Sequence, residues 1–196
     1  MRKELWKILC SICIMLTLLA GCSSEDKETP KEINPEYTSF MEENNLKDVN
    51  FLEPYLGFHT IEYTNSFVMK DSDGIITVQQ FAASENDTVC IDAYALYYPI
   101  SEYNTEEKEA FDTSMRQSFS EIEAFDFASI TSTIGEEYYE IVICLHHLNE
   151  YDNYLAAAEA GYYSTIPAED TLIGYKISTS ALLEEGYIAK YIEEVQ

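Results

Sequence analysis

The stretch that most restricts the fold covers residues 75–98. Two runs rich in β-branched and aromatic side chains, 75–83 and 88–98, are separated only by Ser84, Glu85, Asn86 and Asp87. Four residues can reverse an antiparallel pair, whereas a parallel pair needs a crossover of about a dozen or more. The two runs are therefore expected to form an antiparallel hairpin. In the second run Val89, Ile91, Ala93 and Ala95 share one face and Cys90, Asp92, Tyr94 and Leu96 the other; the first is expected to face the core.

Residues 60–69 add a strand-like run that ends at the turn signal Asp71-Ser72-Asp73-Gly74. Residues 127–134, Gly135 and residues 138–147 predict a second hairpin, with Tyr139, Ile141, Ile143 and Leu145 on its buried side. Between the hairpins Pro99 stops a strand, and Asn104 followed by Glu107 has the spacing of a capping box for a helix starting near Thr105. Phe111, Met115, Phe119 and Ile122 give that helix an apolar stripe, and Glu109, Asp112 and Glu123 a polar opposite face. Alanine-rich residues 149–160 predict a helix ending at Gly161, residues 172–177 a last strand, and Ser178 a cap for a helix closed by Gly186. Near the front, Tyr37, Phe40 and Met41 mark one or two helical turns inside an otherwise irregular packing arm over residues 36–58. This order predicts an α+β domain, an antiparallel sheet with helices packed on one face.

The first 22 residues carry a different signal. Arg2, Lys3 and Lys7 precede an uncharged run over residues 8–21, too short for the ~20 residues of a spanning helix, which reads as a secretory signal. The run ends in Leu19-Ala20-Gly21-Cys22, followed by the polar Ser23-Ser24-Glu25-Asp26. This resembles the lipobox of bacterial lipoproteins. The resemblance implies that residues 1–21 are a signal peptide and that Cys22 becomes the acylated N-terminus, anchored in the cell membrane on its extracytoplasmic face. Residues 22–34 then form a lipidated end and flexible tether, and residues 35–196 a single domain. A tether of a dozen residues reaches roughly 40 Å at full stretch.

Charge and composition exclude further classes. The 196 residues carry 36 acidic and 11 basic side chains, a formal charge of −25. Residues 1–21 hold three of the basic and one of the acidic groups, so the remaining 175 residues carry −27. Such a chain repels phosphate backbones, and nucleic acid is not an expected partner. With 46% hydrophobic and 13% aromatic residues the chain is not a disordered one.

The order of elements also resembles the YehR-like lipoproteins, the DUF1307 domain, over residues 60–190. The match rests on a lipobox, a hairpin over residues 75–98, the helix after Tyr103-Asn104-Thr105-Glu106-Glu107 and a hairpin over residues 127–145. It closes on Tyr175-Lys176-Ile177-Ser178 leading into Ala181-Leu182-Leu183-Glu184-Glu185-Gly186-Tyr187. The family is one of unknown function, and the resemblance implies no catalytic residues.

No phosphate loop, nucleophile elbow or zinc-protease helix occurs, and no cofactor is expected. Gly74 would be the sixth position of a calcium loop, but Met69 and Gln80 then stand where acidic ligands belong, so the stretch reads as a turn. His146 and His147 are strand neighbours on opposite faces and cannot chelate one ion without a bulge; His59 is the third histidine, and no metal site is expected. Cys144 and His146 share a strand face and form the one pair suited to a thiolate nucleophile, although no motif around them supplies an orienting group or oxyanion hole. Cys90 and Cys144, the cysteines left once Cys10 and Cys13 depart and Cys22 is acylated, form a disulfide or remain structural thiols. The abundant carboxylates select no two as acid and base.

Sixteen tyrosines, with doublets at Tyr97-Tyr98, Tyr138-Tyr139 and Tyr162-Tyr163, put at least one ring of each strand pair on the face away from the core. Tyr94 and Tyr138 are the candidate binding residues, for a protein, peptide or glycan, against the alternative of rings packed over the sheet with hydroxyls in water. The expected role is a non-enzymatic, membrane-anchored binding or envelope-associated domain; the alternative is an envelope-acting hydrolase using acidic residues or Cys144 and His146.

Overall fold

The computed structural model describes residues 31–61, 63–84, 88–162 and 179–192. Cys22, the loop after Ser84, the expected strand over residues 172–177 and the cap at Ser178 lie outside them. The elements are α1 (Pro35–Glu43), α2 (Glu53–Leu56), β1 (Tyr63–Lys70), β2 (Ile76–Ser84), β3 (Thr88–Pro99), α3 (Thr105–Ser118), α4 (Ser120–Glu123), β4 (Ala128–Ile134), β5 (Tyr138–His146), α5 (Tyr151–Glu159), α6 (Thr179–Glu184) and β6 (Ile188–Ala189). Among the described residues no helix is long and apolar enough to cross a membrane.

The strands form one six-stranded sheet in the order β4-β5-β3-β2-β1-β6, with every neighbouring pair antiparallel. Both expected hairpins are present, β2–β3 and β4–β5, and the fold is α+β. The capping box forms as well: the Asn104 side chain accepts from the Glu107 amide, and the Glu107 carboxylate accepts from the Asn104 amide. At the β1–β2 turn Asp71 Oδ1 accepts from the amides of Asp73 and Ile75, and Gly74 takes φ +79°, a left-handed value that costs a residue without Cβ little.

The sheet is covered on both sides, which revises the expected core face. The main core lies where Leu96, Tyr98, Tyr139, Ile141, Ile143 and Leu145 meet Met115, Phe119, Ile122, Tyr154 and Leu182 of the helices. Ile91, Ala93 and Ala95, expected to face that core, point to the opposite side instead. There α1 supplies Tyr37 and Met41 against Val68, Ile76, Val78 and Ala95, and Leu52 packs on Ala82, Ile91 and Ala93. The packing arm is thus the lid of the second face.

A bulge explains why simple alternation fails in β3. Ala82 pairs with Ile91 while Ala83 pairs with Val89, leaving Cys90 as an extra residue. Each side of an extra residue has opposite parity, so Val89 joins the main core while Cys90 turns to the arm face with Ile91. The Cys90 carbonyl released by the bulge accepts from the Leu148 amide at 3.1 Å.

The folded body also begins before Pro35, the expected domain start. Ile33 forms a bridge with Tyr191, and the Asn34 amide donates to the Lys190 carbonyl at 2.8 Å. The last residues expected in the tether are therefore part of the fold.

Candidate functional site

The second face of the sheet carries the groups of chemical interest. Cys144 and His146 do project to the same face of β5, as their spacing requires, but they do not form a working nucleophile pair. Burial, with a smaller contribution from the Asp92 carboxylate, pushes the Cys144 thiol up to about 12, so it stays protonated near neutrality. His146 stacks on Tyr55 with ring centroids 4.9 Å apart, and its buried Nδ1 has no hydrogen-bond partner in the structure. Cys90 and Cys144 are both buried in one apolar cluster, and no disulfide joins them.

The two tyrosines singled out from sequence have different surroundings. Tyr94 is not available to a ligand: it is only 4% exposed, on the main-core side, where it accepts a hydrogen bond from Gln79 Nε2 and meets the Tyr162 ring edge-on at 5.6 Å. Tyr94 alternates with Ile91, Ala93 and Ala95 as expected, but the face it occupies is the main core and not an exposed one. Gln79 also donates to Asp92, a fully buried carboxylate, at 3.3 Å.

Tyr138 is half-buried and lines a cleft of about 360 Å³ between the loop after α1 and the β4–β5 turn. Its ring stands nearly perpendicular to Tyr97 with centroids 6.3 Å apart. Glu136, Glu137 and Glu140 line the same cleft, with Lys47 on the loop side. Tyr97 donates to Glu140 at 3.4 Å. Burial raises the Glu140 carboxyl above its ordinary range, and the Tyr97 hydroxyl and Lys47 offset only part of that rise. Three carboxylates against one ammonium leave the cleft negative, with aromatic walls. Glu140 and Tyr97 were missed from sequence, although parity carried a signal: Glu140 lies two residues after Tyr138, on the same strand face.

Two features shape the walls of the cleft. Asn45 adopts φ +53°, turning the chain out of α1 into the loop. Lys108 on α3 donates to the carbonyls of Gly135 and Glu136 at 2.9 and 3.0 Å, fixing the β4–β5 turn.

All three histidines meet at the far end of the same face. His147 has φ +58°, so the chain leaves the strand geometry there and the rings of His146 and His147 approach to 4.9 Å. His59, just after α2, meets His147 at 4.7 Å. Among the described residues no three His, Cys, Asp or Glu side chains are arranged to hold a metal ion.

No family model matches the chain, and no curated protein matches it. Among solved structures it is similar to the NMR structure of E. coli YehR, at 14% identity and TM-score 0.46, covering 68% of this chain and 94% of that one. It is also similar to an NMR structure of a protein from Streptococcus pneumoniae TIGR4, at 13% identity and TM-score 0.44, covering 87% of this chain and 99% of that one. The likeness to YehR is loose and structural.

Proposed function

We propose that the chain is a lipid-anchored extracytoplasmic binding domain that takes cationic peptide segments in the cleft beside Tyr138. The cleft carries this reading. Its carboxylates attract an ammonium or guanidinium group, its tyrosine rings offer apolar and cation–π contact, and Glu140 is a partly buried carboxyl with little compensating charge of its own. The N-terminal run Leu19-Ala20-Gly21-Cys22 supports the anchor and the extracytoplasmic location, and it suits the finer kinship with YehR-like lipoproteins. Around the cleft the strongly acidic surface steers cations and repels anionic polymers.

The Cys144 form of the hydrolase alternative has no support in the geometry, since that thiol is buried and protonated. The binding reading is tested by titrating the full chain in detergent with acetylated pentalysine amide at about 0.15 M salt, where long-range attraction is largely screened. Wild type should bind it, and Tyr138→Ala and Glu140→Gln should each weaken binding about ten-fold. Equal binding by all three proteins, or none by wild type, would overturn the proposal.

A further inference from the structure

The histidine cluster stands apart from the cleft, and its surroundings show what it controls. Residues 51–59 run over the second face between two attachments. At one end Gln80 holds the chain: its Nε2 donates to the Val49 carbonyl at 2.7 Å, and its Oε1 accepts from the Phe51 amide at 2.8 Å. At the other end His59 rests against His147, Phe58 lies 6.2 Å from the same ring, and Tyr55 stacks on His146 while its hydroxyl meets Ser129 Oγ at 2.6 Å. Beneath the segment, packed against its Leu52, lie Cys90 and Cys144.

This second attachment is sensitive to protons. His59 Nε2 and His146 Nδ1 are buried with no hydrogen-bond partner in the structure, an arrangement suited to neutral rings. Protonating His59 and His146 would set a positive charge on either side of the His147 ring, which lies 4.7 Å from the one and 4.9 Å from the other. Among the described residues the carboxylates that act on the group are Glu150, whose Oε1 lies 3.7 Å from His147 Nδ1, and Asp126, on the side of His146. Burial first, then the neighbouring imidazoles, hold both His59 and His146 below the ordinary histidine range. The sign follows. A histidine that is harder to protonate in the folded than in the unfolded chain gives stability that is complete above its unfolded value near 6.5 and is lost as pH falls through the lower folded value.

We propose that the packing of His59 and His146 against His147 is a proton-operated latch, which holds residues 51–59 over Cys90 and Cys144 when neutral and releases them on acidification. Gln80, which does not titrate, keeps the other end attached, so the segment swings rather than detaches. The released state exposes a strip of apolar sheet face and two thiols.

The test follows Cys144 modification by 4,4′-dithiodipyridine in the full chain, read by mass spectrometry of the Cys144 peptide. Each rate is divided by that of the same chain unfolded in denaturant at the same pH, and the pH is stepped from about 7.5 to about 5. The normalised rate should rise about ten-fold or more, with circular dichroism unchanged. His59→Gln and His147→Gln should each flatten the rise. Amide exchange of residues 52–59, corrected for intrinsic rates, should accelerate over the same range in wild type while β3 and β5 stay protected, a readout that needs no variant. A flat wild-type profile, a rise that persists in both variants, or loss of protection across the whole sheet would each overturn the latch.

Discussion

Asp112 shows how far one side chain can depart from the pattern that predicts it. It falls on the polar side of the α3 stripe, yet it reaches the sheet: its Oδ1 accepts from Ser132 Oγ at 2.7 Å and from the Tyr139 hydroxyl at 2.9 Å, and Arg116 lies 3.4 Å away. Burial by itself would raise this carboxyl, but the hydrogen bonds and the guanidinium outweigh it and hold the group below the ordinary aspartate range. The stability it contributes is therefore present above about pH 4 and is lost as pH falls through its lower folded value. Tyr139 is fully buried, so Asp112→Ala removes the carboxylate that accepts from its hydroxyl. Chemical denaturation at pH 7 should show a loss of about 1–3 kcal/mol, and the deficit relative to wild type should shrink toward pH 2. A deficit independent of pH would separate this side chain from the ionised role given to it.

At the scale of elements, local signals were legible and distant ones were not. Asn104 and Glu107 define their helix start in four residues, and Gly161 and Gly186, at φ +83° and +94°, end theirs by a backbone conformation that glycine adopts readily. Asn104→Ala should accordingly cost about 1 kcal/mol, lowering the thermal midpoint by about 2–5 °C in a calorimetric scan, with the far-UV spectrum kept. The break at Phe119 between α3 and α4 left its stripe intact, so Phe119 and Ile122 are buried as their spacing predicts. What the sequence hid depends on contacts far along the chain. A one-residue bulge at Cys90 inverts parity without any glycine to announce it, and the left-handed backbone of His147 is equally silent. The cleft likewise needs residues 45–49 to be folded over Tyr138, some ninety positions away. The antiparallel sheet was readable from loop length and alternation, but the covering of its second face was not, because the arm carries little periodicity of its own.

For the whole molecule, the proposed anchor and the acidic domain make one arrangement. With the anchor proposed above, a charge of −27 beyond residue 21 would be repelled by anionic lipid headgroups. Membrane fractionation provides the check. The wild-type chain should sediment with membranes after a high-salt wash, whereas Cys22→Ala should move largely to the soluble fraction, because an acyl anchor is indifferent to salt and a charge contact is not. A Cys22→Ala chain that stays wholly with membranes would refute acylation as the means of attachment.

The bridge between Ile33 and Tyr191 has a mechanical consequence. The two ends of the described chain are tied side by side, with the Ile192 amide donating to the Glu32 carbonyl at 3.1 Å and the Asn34 amide to Lys190 at 2.8 Å. Any tension arriving along residues 22–31 meets this pair of bonds before it meets the core. Lys190 reinforces the junction, with its ammonium 2.6 Å from Asp48 and 5.8 Å from the Tyr37 ring centroid. Because Asp48 stands between Lys47 and Val49 of the cleft wall, a pull that loosens this junction is handed through Lys190 to the loop that shapes the cleft.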